Sequence, residues 1–214
     1  MKKRIISALV IGMSLSACAP VTLGRQIPDQ VTRSELSVGG MAILPTLTNS
    51  ATSAQTTVQE KLAFEAKLES KLNDLVPGVK IASTGQVTQD LVANDQLSQY
   101  FSSMTAAYER GIYDSKMLRS IADRRGVRYL VIPWIYSIEP TTSYSYGVPI
   151  YRSLLVSTQI MIFDVNADKT VLSVSHAGQD HGALRGPLQD PPTVGDAVRS
   201  ALDFIFDQLR KTLK

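Results

Sequence analysis

The first seventeen residues constrain this chain more than any other feature. Lys2, Lys3 and Arg4 make a cationic start, Ile5 to Met13 an apolar run, and small residues lead up to Cys18. That is the layout of a secretory signal peptide, and its apolar run is too short to cross a bilayer as a mature helix. The fold must therefore be built from the residues beyond the leader. Cys18 is the only cysteine in the sequence, so neither a disulfide framework nor a cysteine-based metal site is available to it.

Leu15-Ser16-Ala17-Cys18 resembles the bacterial lipobox. The resemblance implies cleavage before Cys18 and acylation of its thiol, which would also remove a reactive group from an oxidising compartment. One acyl chain holds a protein only marginally, whereas two or three hold it firmly. Ala19 comes after the cysteine in place of the aspartate that commonly retains such proteins at the inner membrane. By resemblance to sorted lipoproteins, this implies anchoring in the outer membrane with the domain facing the periplasm. Removing the leader also changes the charge. Without Lys2, Lys3 and Arg4, 19 of the 22 basic residues remain against 19 acidic ones. The basic isoelectric point belongs largely to the leader and gives no support to a nucleic-acid partner.

Residues 19 to about 36 carry Pro20, Gly24 and Pro28 among polar residues and show no sustained period. The expected organisation is a leader over 1–17, a lipidated cysteine and flexible tether over 18–37, and a single α/β domain over 38–214. Gly40-Met41-Ala42-Ile43-Leu44, closed by Pro45, reads as a buried strand. Residues 46–56 are polar and read as a loop. Residues 57–76 show helical period and stop at Pro77-Gly78. Residues 79–82 are a short strand, and 87–110 a second helical region that Asn94-Asp95 can break. Asp114 reads as the N-cap of a third helix that Gly126 ends. Residues 127–138 are the strongest strand signal, with Pro133 demanding a bulge or an edge position there. Residues 141–151 read as a loop. Residues 152–165 and 170–177 form a hairpin across Asn166-Ala167-Asp168-Lys169, and 178–192 are irregular. The last helix, from Thr193 to about Leu213, is amphipathic throughout. Alternation ending in a hairpin predicts a mixed β-sheet packed by helices.

Three segments in this order carry a family resemblance. They are Met41-Ala42-Ile43-Leu44-Pro45 with the Asn49-bearing stretch after it, Leu118-Arg119-Ser120-Ile121-Ala122 running through Gly126 into Tyr129-Leu130-Val131-Ile132, and Ile162-Phe163-Asp164-Val165 before the turn. With the terminal helix, they resemble periplasmic lipoproteins whose domain is like the amino-terminal domain of TolB. Members include a curli-secretion channel lipoprotein, an activator of penicillin-binding proteins and an exopolysaccharide-export lipoprotein. The sequence departs from the channel-forming member in lacking obvious long amphipathic strands. The resemblance implies a non-enzymatic assembly, scaffold or accessory role in an envelope machine, either a secretion or export apparatus or a cell-wall synthase.

Chemistry-bearing residues are few. His176, Asp180 and His181 hold both imidazoles of the chain and could serve a metal or a hydrolase. Yet no HExxH pattern is present, and an i, i+5 spacing at a strand end puts the rings on no common face. No Gly-x-Ser-x-Gly elbow appears, and Gly39-Gly40 precedes a strand, the wrong order for a dinucleotide loop. Asp164 and Asp168 flank the turn and suit turn hydrogen bonding. Trp134, Tyr136, Tyr144, Tyr146 and Tyr151 are either a cover for the end of the core or a partner-binding surface. The expectation is a protein without cofactor or metal, held to a membrane by lipid at Cys18, working within an envelope protein complex and able to form a homo-oligomer. The rival readings are a periplasmic hydrolase or metal-binding enzyme using His176 and His181, and a ring-forming export component.

Overall fold

A computed structural model of the chain describes residues 31–110, 112–146, 148–183 and 192–213. In chain order the elements are α1 (Arg33–Gly39), β1 (Met41–Ile43), β2 (Leu47–Thr48), α2 (Ser50–Gln55), α3 (Val58–Leu75), β3 (Ile81–Ala82), α4 (Thr84–Ala93), α5 (Leu97–Arg110), α6 (Ser115–Arg125), β4 (Tyr129–Ser145), β5 (Val148–Asp164), β6 (Lys169–Ala183) and α7 (Val194–Thr212). The strands form one sheet in the order β3-β1-β4-β5-β6, with β2 beside β4 further along it. Strands β1 and β2 run parallel to β4, and β3 parallel to β1. The remaining pairs, β4–β5 and β5–β6, are antiparallel. This is the mixed sheet packed by helices that the sequence pattern predicts.

Both faces of the sheet are covered around β1, which explains why β1 is apolar at every position. Met41 and Ile43 point to one face, among Leu36 of α1, Leu68 of α3 and Phe206 of α7. Ala42 and Leu44 point to the other, among Leu91 of α4, Tyr100 of α5 and Ile121 of α6. The period of two along the strand feeds two separate cores. From β1 the chain crosses by α3 on the first face to β3. From β3 it crosses by α4, α5 and α6 on the second face to β4. Adjacent strands β1 and β3 thus send their connections to opposite faces, which opens a crevice beyond their carboxyl ends.

Helix ends obey local chemistry. Thr57 and Glu60 close a capping box on α3, and the side chain of Asp114 accepts from the Met117 amide at the start of α6. Gly126 ends α6 in the left-handed region (φ 59°, ψ 50°), where a Cβ would be strained. The break between α4 and α5 falls at Asn94 and Asp95, as the sequence predicts.

Several expectations are corrected. The tether expected to reach about residue 36 ends earlier. Helix α1 forms there under a Thr32–Glu35 capping box and buries Leu36 completely. Residues 46–56 are not a loop but hold β2 and α2. Asn49 caps α2 and Thr52 hydrogen-bonds the Ile135 carbonyl, so a polar stretch is ordered from outside itself. Residues 141–151, also expected as a loop, lie for the most part in β4 and β5, paired from Thr141↔Ser153 to Ser145↔Val148. Residues 178–183, expected to be irregular, continue β6. Pro133 sits on an interior strand, between the end of β1 pairing at Val131 and the start of β2 pairing at Trp134. Its missing N–H falls in that gap, while the bulge lies at Ile135/Ser137. Long strands are not obvious in the sequence, yet β4 and β5 each span 17 residues, about 50 Å at ordinary strand rise.

Candidate functional site

Strand direction gives the domain two unlike ends. At the base, β1, β3 and β4 begin, β5 ends and β6 begins. Helix α1 leads directly into β1 here, and Arg33 donates to the Arg210 carbonyl near the end of α7. The chain therefore enters the domain near the base; Cys18, the expected leader and most of the expected tether lie outside the described residues. Arg128 clamps this end. Its Nη2 lies 2.6 Å from Asp164 Oδ2, and its Nε lies 3.1 Å from each carboxylate oxygen. Asp164 also accepts from the amides of Asn166 and Ala167. Burial raises the pKa of this carboxyl, but the Arg128 and backbone hydrogen bonds outweigh it and hold the group below the usual carboxylate range. Asp168 takes the positive φ of the same turn.

The aromatic residues singled out from the sequence divide between core and surface. Trp134 is 4% exposed within the second core, and Tyr136 is half-buried against it. At the opposite end of β4, Tyr144 is 65% exposed and Tyr146 fully so, at the turn between β4 and β5. Tyr151 lies on β5, opposite Ser143 and Ala183, but its side chain is outside what is described. The structure thus places two of the five aromatics together at an exposed hairpin tip.

The histidine segment lies on β6, where alternate residues face opposite sides. His176 and Asp180 share the side of Gly178 on which a Cβ would run into the Ala197 carbonyl and the Ala201 backbone of α7. His181 points the other way. The His176 ring stacks on Phe204 of α7, centroids 3.7 Å apart and 13° from parallel. Its Nδ1 is buried without a hydrogen bond among the described residues, and burial lowers its pKa. Asp180 accepts from the Thr193 amide (2.7 Å) and from the His181 amide (2.8 Å), which ties β6 to the start of α7. The two imidazoles do not converge, and among the described residues no three His, Cys, Asp or Glu groups are placed to hold a metal.

A cleft of about 760 Å³ opens at the crevice beyond β1 and β3. The β1–β2 connection forms its floor, and Val58, Lys61 and Glu65 of α3 one wall. Leu97 and Phe101 of α5 form the other, with Thr88 of α4 beside them. Glu65 reaches across to accept from both the amide (3.0 Å) and hydroxyl (2.7 Å) of Thr46. Tyr100, fully buried, donates to the Pro45 carbonyl at 2.9 Å. Burial holds its phenol protonated far above the usual range. The strand–loop turn is therefore fixed from both faces. The cleft escapes a reading of the sequence because its residues come from five elements, β2, α2, α3, α4 and α5, and the connection before them; the Thr46 to Ser53 polar run is its sole visible sign.

No family model matches the chain, and no curated protein matches it. Among solved structures the fold is similar to lipoprotein GNA1162 from Neisseria meningitidis, at 15% identity over 81% of this chain and 99% of that one, with a TM-score of 0.48. It is also similar to the PelC dodecamer from Paraburkholderia phytofirmans, at 10% identity over 89% and 96%, TM-score 0.45. A third likeness is to the LpoB C-terminal domain from Salmonella enterica, at 13% identity over 65% and 82%, TM-score 0.37.

Proposed function

We propose that this protein is a non-enzymatic lipoprotein of the bacterial envelope, anchored in the outer membrane by acyl chains on Cys18. Its domain, of the TolB amino-terminal kind, faces the periplasm and serves as an assembly, scaffold or accessory component of a secretion, export or cell-wall-synthesis machine. The observation that carries the reading is the hairpin tip. Tyr144 and Tyr146 stand open to solvent at the end of the domain opposite the base, near which the tether joins. Tyrosines offer large contact area with a polar tip, and exposed ones add little to the fold that presents them. The leader and the Leu15–Cys18 motif supply the anchor. The divergent placing of His176 and His181 supports the non-enzymatic reading over a histidine-dependent hydrolase.

The test has two parts. Palmitate labelling of cells should mark the wild type and not Cys18→Ser. A photo-crosslinker at position 146 should then capture a discrete envelope protein, and Tyr144→Ser with Tyr146→Ser should abolish both capture and function while the fold is kept. Function lost with His181→Ala or His176→Phe in a folded protein would favour the enzyme instead. One observation favours a second reading, self-association. Among the described residues no strand pairs with the outer edge of β6, and the only strand pairing with β4 beyond Ile135 is β5. Light scattering on the unacylated protein decides that, a monomer at high concentration counting against it.

A further inference from the structure

We propose that the cleft beyond β1 and β3 binds a small amphipathic anion, an apolar body carrying one acidic head group. The position is the first ground: ligands of open α/β sheets sit outside strand carboxyl ends where adjacent connections part to opposite faces. At about 760 Å³ the space suits one small molecule. Its walls are the second ground. Phe101 is 40% exposed although it stands at a rigid place, edge-on to buried Tyr100 (5.1 Å, 67°), and Leu97 and Val58 continue the apolar lining. The charges are the third ground. Both Thr46 hydrogen bonds are accepted by Glu65 Oε1, which holds that carboxylate at the floor of the cleft. Lys61 donates to the Thr48 hydroxyl at 3.3 Å, and its ammonium has three donors, so two remain to meet a ligand. The free Lys61 donors meet an acceptor head, and the apolar walls select the body.

Binding in the cleft does not depend on the anchor or on the hairpin tip, so it can fail alone. The protein, with its leader removed and Cys18→Ser, is titrated with 1-anilinonaphthalene-8-sulfonate, and dodecanoate and dodecanol are then added as competitors. Saturable binding at one site per chain is expected, with dodecanoate displacing the dye at least about tenfold more effectively than dodecanol, as for a hydrogen bond to a charged group. Lys61→Gln should abolish that preference and leave dodecanol unchanged. Phe101→Ala should weaken both, and Val38→Asp, exposed on α1, neither. Thermal unfolding of each variant checks the fold. Phosphatidylglycerol vesicles form a separate arm, and no retention is expected because the cleft admits one body. Absence of saturable binding would overturn the proposal, as would equal competition by acid and alcohol, binding unaffected by both cleft substitutions, or retention on vesicles without dodecanoate binding.

Discussion

Replacing Gly178 with alanine should loosen α7 from the sheet. A Cβ at this position would collide with the Ala197 carbonyl oxygen and the Ala201 amide nitrogen, and would lie 2.8 Å from Ala201 Cβ. None of these atoms can turn away, because two are backbone and the third is fixed to it. The helix would have to rise by on the order of 1 Å, and a gap of that size forfeits a quarter to a half of each van der Waals contact. Helix α7 presses Val194, Ala197, Val198, Ala201, Leu202, Ile205, Phe206 and Leu209 into the core, so the loss spreads along its length. Overpacking ordinarily costs about 1–3 kcal/mol, and a backbone obstacle belongs at the upper end. Relief of glycine's extra chain entropy returns about 0.5–1 kcal/mol. The expected net loss is about 2–2.5 kcal/mol, or roughly 4–10 °C in Tm for a domain of this size. Urea and thermal unfolding would measure it beside Gly85→Ala, whose Cβ would meet only Ser83 Oγ at 3.9 Å and which should be neutral or slightly stabilising. Adding Ala201→Gly should not rescue Gly178→Ala, since the colliding backbone remains. Stability within about 0.5 kcal/mol of wild type, with amide exchange in α7 unchanged, would refute the close approach of strand and helix.

Three other outcomes rest on single groups. Asp164→Ala removes the acceptor of Arg128 and of two turn amides, and should cost about 2 kcal/mol in urea unfolding, held down because Arg128 is partly exposed and stays hydrated. The Asp164 carboxyl sits below its ordinary range when folded. Its contribution should therefore be complete above about pH 4 and fade as the pH falls through the folded pKa, a slope that Asp164→Asn removes. Burial depresses the pKa of His176, so the fold favours the neutral ring. Stability should be full above about pH 6.5 and decline as the pH falls towards the folded pKa, and His176→Phe, which keeps the stack on Phe204, should flatten urea midpoints across that window. Trp134→Ala should cost about 3–5 kcal/mol and Tyr146→Ser less than about 0.5, a contrast in thermal unfolding that separates core from surface aromatics.

The parts of the fold legible in the sequence are those decided within a few residues. Asp114 and Gly126 bracket α6 because caps act locally, and α7 shows its stripe because one face meets one core. The hidden parts are decided at a distance. Strand β2 has two residues and exists through Trp134 and Ile135, almost ninety positions away. Leu36 lies in a stretch with no period, and only a capping box and a distant core make it helical. Gly178 looks like the start of an irregular segment because a glycine needed for close approach is indistinguishable, in sequence, from one needed for a turn. The hairpin end of β4 does carry a signal against a loop: Thr141, Thr142 and Tyr144 are strand formers among serines. The cleft has almost none, since Glu65, Thr46 and Tyr100 acquire their roles only when two crossovers bring them to the end of one strand.

The proposed anchor and the observed polarity of the sheet together fix a length that can be tested. Thirteen residue steps separate Cys18 from Val31, spanning at most about 45 Å when extended and about 20 Å as a coil. Strand β4 then carries the chain about 50 Å from the base to the tyrosine tip. If the tip meets its partner while the acyl chains stay in the bilayer, reach matters and tether sequence does not. Removing residues 21–28 shortens the extended tether by about 27 Å and should abolish function and crosslinking from position 146, while the unfolding of the domain stays unchanged. Replacing the same residues with glycine and serine should restore both. Normal function with the shortened tether would mean that the partner is met near the base, and that the exposed tyrosines serve another purpose.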